Sequence, residues 1–386
     1  MLKIMTVYGT RPEAIKVAPI IKALEESDNF ESIPVVTGQH REMLDSVNKL
    51  FGIEPVRDLN IMSAKQGLNG IVAKVINGLD AVYAELEPDA VIVQGDTSTV
   101  MGAAIAAFNR QIPVVHVEAG LRSGDINSPF PEEANRKLTS QISKLHLAPT
   151  STSKANLLRE ALPEKDIVVT GNSVIDALLE VVEKPVEFTD QTVAELVAQK
   201  DDTPIVLVTT HRRENLGESM QNIGRAVATL AGKYPGYRFL LPAHKNPLVR
   251  ENVLPHLEGL QNVFVTEPLA YAEFAHVIAA SRIVLTDSGG VQEEAPSLGK
   301  PVLVMRENTE RPEAVEAGTV RLVGTDYDRI VEEVSALIDD EKHFASMANA
   351  VNPYGDGRAA ERTVAALEQM FGLGQRLSDF DSSENY

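Results

Sequence analysis

The chain has 386 residues, more than the ~250–300 at which a single core tends to split, so two domains are expected. Its 44% hydrophobic and 24% charged residues are a globular composition and argue against extensive disorder. The balance of 36 Lys and Arg against 55 Asp and Glu, a net charge of −19, argues against non-specific nucleic-acid binding and adhesion to anionic membranes. The absence of cysteine removes disulfides, thiolate catalysis and Cys-ligated zinc, and fits a reducing compartment. The opening MLKIMTVYGTRPE reaches Gly9, Arg11 and Glu13 too early for the apolar core of a signal peptide, so a cytoplasmic location is expected. No stretch approaches the ~18 consecutive apolar residues of a membrane span.

In chain order, KIMTVYG, SIPVVTG, DAVIVQGD, IPVVHVEAG, KLHLAPT and DIVVTGN read as buried strands. Between them AIKVAPIIKALEES, GIVAKVINGLDAVYAELE and TVMGAAIAAFNR carry apolar residues at helical spacing. The charged, strandless stretch 183–203 marks a domain boundary. The rhythm then restarts with PIVLVTTH, YRFLLPAH, NVFVTEP, RIVLTDSGG, PVLVMRE and TVRLVGT. Strand–helix alternation with short connections predicts an α/β protein of two doubly wound parallel sheets, with ligands at the carboxyl ends of the strands in a cleft between them. The expected domains are 1–185 and 186–352, followed by a last helix at 353–372 and a frayed polar tail at 373–386.

The informative polar residues fall at strand ends. Asp96 closes DAVIVQGD and Glu118 closes PVVHVE, one βαβ unit apart, so both carboxylates belong at one edge of the sheet. Glu132 and Glu133 open the helix PEEANRKLTSQISK and bring a further carboxylate towards that edge. The plainer alternative is that Asp96 caps the next helix and the glutamates favour a helix dipole. Glu118 resists that alternative, because a carboxylate ending an apolar strand is not a surface residue by default.

Gly9-Thr10-Arg11-Pro12-Glu13 follows the first strand and opens a helix, placing Arg11 and Lys16 where an anion would suit, or where they are simply solvated. No GxGxxG or GxxxxGK[ST] occurs, so neither a dinucleotide fingerprint nor a P-loop is supported. Thr286-Asp287-Ser288-Gly289-Gly290 ends a strand and starts a helix whose free N–H groups suit a phosphate, with Glu294 one turn in and Pro296 cutting the helix short. His211-Arg212-Arg213 and His244 end the first two strands of the second half and are anion-site candidates. No HExxH or G-x-S-x-G is present, so neither a metal site nor a serine nucleophile is expected.

Taken together, GTRPEAIK (9–16), QHREML (39–44), GDTSTV (95–100), HVEAGLRS (116–123), PFPEEANR (129–136), HRREN (211–215), TDSGGVQEEAPSLGKPVLVMRENTERPE (286–313) and NPYGDG (352–357) resemble the bacterial non-hydrolysing UDP-N-acetylglucosamine 2-epimerases. The resemblance covers nearly the whole chain. It implies a GT-B architecture of two Rossmann-like domains, with the last helix crossing back to the first. It also implies a homodimer that takes UDP-GlcNAc, UDP-ManNAc and UDP, needs no redox cofactor or metal, and supplies UDP-ManNAc for surface polysaccharides.

By the same resemblance, Asp96, Glu118, Glu132 and His211 match catalytic positions. Arg11, Lys16 and the N–H groups of Ser288, Gly289 and Gly290 would hold the diphosphate, Glu294 the ribose, and Phe274 and Arg311 other parts of the nucleotide. Leu269 stands where some members have Gln at the uracil, leaving that contact to backbone. Gln39, Gln66, Arg212 and His244 match a regulatory UDP-GlcNAc site at which Lys65 replaces an Arg. A hydrolysing relative, a GT-B glycosyltransferase and a non-catalytic UDP-sugar sensor are the alternatives.

Overall fold

The computed structural model describes residues 1–38, 41–61, 66–198 and 202–382, the side chains of 41–43 excepted. The chain divides into two compact units. One runs from Met1 to Ala177 and takes the chain up again at Tyr354; the other is Leu178–Pro353.

Among the described residues, the first unit holds seven strands: β1 (Leu2–Tyr8), β2 (Phe30–Val36), β3 (Arg57–Asp58), β4 (Ala90–Gln94), β5 (Val114–Val117), β6 (Leu145–Ala148) and β7 (Ile167–Val169). They form a parallel sheet in the order β3-β2-β1-β4-β5-β6-β7. The second unit holds β8 (Ile205–Thr209), β9 (Arg238–Pro242), β10 (Val263–Thr266), β11 (Ser281–Thr286), β12 (Val302–Val304) and β13 (Val320–Leu322). These are also parallel, in the order β10-β9-β8-β11-β12-β13.

Strands covered on both faces need apolar residues on both faces, and β4 is buried throughout. Met5, Val7, Val91 and Val93 face one apolar cluster with Val75, Leu79, Val100 and Ala103. Ile4, Ile92, Val115 and Val117 face the other, which includes Ile20 and Leu24 of the helix Arg11–Glu25. The last helix, Ala359–Met370, adds Ala360, Ala366 and Leu367 to that second cluster. Its first turn is held by Asp176, whose Oδ1 accepts from Ala360 N at 2.8 Å.

Two boundaries differ from the sequence expectation. The division between units falls at 177/178, inside the helix Ser173–Glu183, and not at 185. The start of that helix is tied to the first unit by Ser173 Oγ–Lys16 O at 2.6 Å and by Asp176–Ala360. The stretch after it is tied to the second, as Lys184 O meets His276 Nε2 at 2.9 Å.

The frayed tail is also corrected, for residues 373–382. Strand β7 ends the sheet and would otherwise leave its outer backbone groups open. The tail closes that edge: Phe380 N donates to Val169 O at 2.7 Å, Val169 N to Asp379 Oδ1 at 3.2 Å, and Arg376 Nη1 to Ile167 O at 3.0 Å. Phe380 is buried, under the Arg362 guanidinium at 5.5 Å from its ring centre, and Lys154 pairs with Asp379 at 2.9 Å. Ending the chain at Gly372 should therefore remove about 2 kcal/mol of buried aromatic surface and expose the β7 edge. Thermal melts and light scattering should show a Tm lowered by several degrees and concentration-dependent association; an unchanged melt and a monodisperse sample would contradict this.

Candidate active site

In a doubly wound sheet, the connections before and after the switch point run to opposite faces, leaving a crevice at the carboxyl ends of the two central strands. In the first unit those strands are β1 and β4, in the second β8 and β11.

At the end of β1, Gly9 packs so closely that an added Cβ would sit 2.1 Å from Thr37 Oγ1. Thr10 then caps the helix Arg11–Glu25 in a capping box with Glu13. The Glu13 carboxylate is buried and accepts from Gly9 N at 2.7 Å, Thr10 N at 2.8 Å and Thr97 Oγ1 at 2.5 Å. It thus ties the turn after β1 to the turn after β4. Burial pushes its carboxyl above the usual range against the pull of those hydrogen bonds.

After β4, Gly95 takes φ +82°. Thr97, not Asp96, caps the following helix Ser98–Asn109 by accepting from Val100 N at 3.3 Å. The capping alternative for Asp96 therefore falls away. Instead Asp96 Oδ2 receives Arg136 Nε at 2.9 Å and Nη2 at 2.7 Å. The same guanidinium gives Nη1 to Glu133 Oε2 at 3.0 Å, and Glu133 is fully buried. Glu132, the expected catalytic member, is half-buried at the start of the helix Glu132–Ile142 that also carries Arg136.

Glu118 ends β5 at φ +61°, a conformation that side-chain-bearing residues rarely hold outside functional sites and tight turns. Its carboxylate is mostly covered and meets Lys16 Nζ at 2.6 Å, Asn172 Nδ2 at 3.3 Å and Gln94 Nε2. Glu118 Oε2 lies 3.8 Å from the position a Cβ on Gly95 would take, so Glu118 borders the turn that carries Asp96. Lys16, expected to face an anion, is here the ion-pair partner of Glu118. Arg11 opens its helix half-buried. Beneath the turn, buried His116 meets Gly95 O through Nε2 at 2.7 Å, and burial lowers its pKa to about 4, so the ring is neutral at neutral pH.

In the second unit a fully buried carboxylate, Asp287, occupies the crevice between β8 and β11. It accepts from Thr210 Oγ1 at 2.9 Å, Arg212 N at 2.9 Å, Asn215 Nδ2 at 3.1 Å and His211 N at 3.0 Å. His211 Nδ1 lies 3.1 Å from its Oδ1. The His211 ring is 40% exposed and stacks on His244, centroids 5.8 Å apart at 29°.

The helix Gly289–Ser297 begins immediately after, with Pro296 in its last turn. A Cβ on Gly289 would sit 2.7 Å from Arg311 Nη1 and 3.3 Å from Arg212 Nη2, so two guanidinium groups converge on this helix start. A Cβ on Gly290 would meet nothing within 4 Å. Ser288 N, expected to serve a diphosphate, already donates to Thr286 Oγ1 at 2.9 Å, because the side chain closes the turn locally; the remaining backbone donors belong to Gly289 and Gly290. Arg311 is braced by Glu293 Oε1 at 2.6 Å, and Glu294 lies buried beside it in sequence. Leu269 and Phe274, both half-buried, follow β10 at the same carboxyl edge.

Of the residues matched to a regulatory site, Gln39 and Lys65 lie outside the described residues. Gln66 precedes the helix Leu68–Leu86 of the first unit, while Arg212 and His244 belong to the second. Arg136, Glu13, Gln94, Asn172 and Asp287 were not singled out in the sequence as functional. Arg136 carried a usable signal, three residues after Glu133 on one helix face. Among the described residues, no group of three or more His, Asp or Glu side chains is arranged to hold a metal ion, and no helix is long and apolar enough to cross a membrane.

Comparison with known proteins adds to this geometry. A family model described as UDP-N-acetylglucosamine 2-epimerase matches residues 22–368. The chain is 51% identical over 371 residues to a UDP-N-acetylglucosamine 2-epimerase of Escherichia coli K12, covering 95% of this chain and 98% of that one. It is similar to the crystal structure of the Neisseria meningitidis UDP-GlcNAc 2-epimerase bound to UDP-GlcNAc, with TM-score 0.84 and 48% identity, covering 95% of this chain and 100% of that one. The Methanocaldococcus jannaschii UDP-GlcNAc 2-epimerase structure matches with TM-score 0.82 and 34% identity over the same shares.

Proposed function

The chain belongs to the UDP-N-acetylglucosamine 2-epimerase family, and from that premise we propose that it interconverts UDP-GlcNAc and UDP-ManNAc without releasing the sugar. The observation that carries this reading is what each unit, taken by itself, gathers at the carboxyl edge of its sheet. One sheet presents the carboxylates Asp96 and Glu118 at its switch point, and the other presents two guanidinium groups, a glycine helix start and a histidine.

The C2 proton of the sugar has no neighbouring carbonyl to acidify it, so direct deprotonation is too costly. Elimination avoids this. The C1–O bond breaks with its electrons leaving on UDP, the C2 proton goes to a base, and C1=C2 forms, giving 2-acetamidoglucal. UDP then re-adds at C1 while a proton is delivered to the opposite face of C2. Such a path needs proton-transfer groups near C2 and fixed positive charge on the departing diphosphate. Asp96, Glu118, Glu132 and His211 are the proposed proton-transfer set. Arg11, Arg311 and the N–H groups of Gly289 and Gly290 would hold the diphosphate, Glu294 the ribose, and Phe274 and the backbone at Leu269 the base. For Lys16 the ion pair with Glu118 supports a second role, orienting that carboxylate. UDP-ManNAc would serve surface polysaccharide assembly.

A hydrolysing enzyme would share the elimination and lose the glucal to water. The HVEAGLRS and DSGGVQEEAPSLGKP motifs favour recapture by UDP. A pure sensor has no use for carboxylates at an anion site. Incubation with UDP-GlcNAc followed by phosphorus NMR should give UDP-ManNAc in equilibrium with substrate, whereas free UDP with ManNAc would overturn the non-hydrolysing assignment. Asp96→Asn or Glu118→Gln should lower turnover by on the order of 100-fold or more while UDP still binds; full activity in either would remove that residue from the set.

The proposal includes a homodimer and activation by substrate. Phe108 and Leu138, on the packed helices Ser98–Asn109 and Glu132–Ile142, are each more than half exposed, which supports a covered apolar face. Gln66, Arg212 and His244 would contribute to the regulatory site. Light scattering should give twice the chain mass, and the rate should rise sigmoidally with UDP-GlcNAc; a single-chain mass with a hyperbolic curve would contradict both.

A further inference from the structure

His211 is a candidate catalytic group whose ring is held on two sides, by Asp287 at Nδ1 and by the stacked His244. Asp287 faces its Nδ1 at 3.1 Å and is itself fully buried, with Oδ2 taken by Thr210 Oγ1, His211 N, Arg212 N and Asn215 Nδ2. Burial alone would raise this carboxyl. The hydrogen bonds from His211 and from the backbone outweigh burial and leave it below the ordinary aspartate value. An ionised carboxylate accepts hydrogen bonds and cannot donate. Whenever the ring carries a single hydrogen, that hydrogen belongs on Nδ1, between the ring and Asp287, and the lone pair belongs to Nε2.

We propose that Asp287 is a positioning residue for the epimerisation: it fixes His211 in the Nδ1–H tautomer and so presents Nε2 as the atom that accepts a proton and later returns it. The role rests on the function proposed above, and it differs from a merely structural pin between β8 and β11. A pin would tolerate any acceptor in the same place. Tautomer control requires an acceptor that cannot also donate, which is the difference between Asp and Asn. Stacking on His244 holds the ring plane but leaves the choice of nitrogen to Asp287.

The test uses full-length protein labelled with ¹⁵N-histidine, with the His211 ring signals identified by their loss in His211→Asn. In mildly alkaline buffer the wild-type ring should show hydrogen on Nδ1 and a bare Nε2. A ring with hydrogen on Nε2 overturns the proposal, and this reading uses the variant only to identify the signals and needs no activity, so it stands apart from any failure of the epimerase assignment. In Asp287→Asn the Nε2–H form should become populated, with kcat lowered on the order of 100-fold and UDP affinity within about threefold of wild type. Thr210→Val removes one donor to Asp287 without touching the ring, and should keep kcat within about threefold. Equal losses in Thr210→Val and Asp287→Asn, or unchanged kcat in Asp287→Asn, would reduce Asp287 to a structural role.

Discussion

A buried carboxylate that gathers backbone N–H groups across the switch point is the constraint on which each half of this molecule depends. In the first unit it is Glu13, joining the turns after β1 and β4 through Gly9 N, Thr10 N and Thr97 Oγ1. In the second it is Asp287, joining the turns after β8 and β11 through His211 N, Arg212 N and Thr210 Oγ1. Burying a carboxylate is unfavourable by several kcal/mol unless its lone pairs are met, and here the loops that a parallel sheet must leave open supply the donors. The pins differ in the balance they strike: burial pushes the Glu13 carboxyl up against its hydrogen bonds, whereas at Asp287 the hydrogen bonds outweigh burial and hold the carboxyl down. The first meets only backbone and hydroxyl groups, whereas the second also faces the His211 ring.

Because the pins satisfy the loop backbone, the neighbouring polar side chains are left to face outward. Thr97 takes the cap that Asp96 would otherwise provide. Asp96 is then positioned by Arg136, which Glu133 braces from below. Glu118 holds a left-handed backbone and an ion pair with Lys16, an arrangement that persists only where surrounding contacts over-determine it. Guanidinium groups converge on Gly289 because no Cβ is there to exclude them. Each sheet thus sets its candidate groups at rigid strand ends rather than on long loops, the support that ångström placement needs.

The sheets were legible because strands buried on both faces leave no room for polar alternation, so runs such as AVIVQ and IVLVT stand out. Strand β3 escaped notice because two residues, Arg57 and Asp58, carry no period. The tail was misjudged from its polar composition: Arg376, Asp379 and Phe380 are recruited by the open edge of β7, a partner the local sequence does not name. The candidate site was legible at strand ends, where Asp96, Glu118 and His211 stand. Its supports were not. Arg136, Asn172 and Asp287 matter through contacts 40, 54 and 76 residues away in sequence, and only the folded chain shows them. Long-range pairing likewise brings Lys16 to Glu118, 102 residues away, whereas Ser288 N is engaged locally by Thr286 Oγ1, two residues before it.

The central claim is that carbon–hydrogen bond breaking at C2 accompanies loss of UDP from C1, and solvent deuterium tests it most directly. UDP-GlcNAc incubated with the protein in D₂O and followed by proton NMR should yield UDP-ManNAc deuterated at C2, and the remaining UDP-GlcNAc should acquire the label as equilibrium is reached. UDP-ManNAc that keeps its C2 proton, formed at the same rate, would contradict the elimination and the roles given to Asp96, Glu118 and His211.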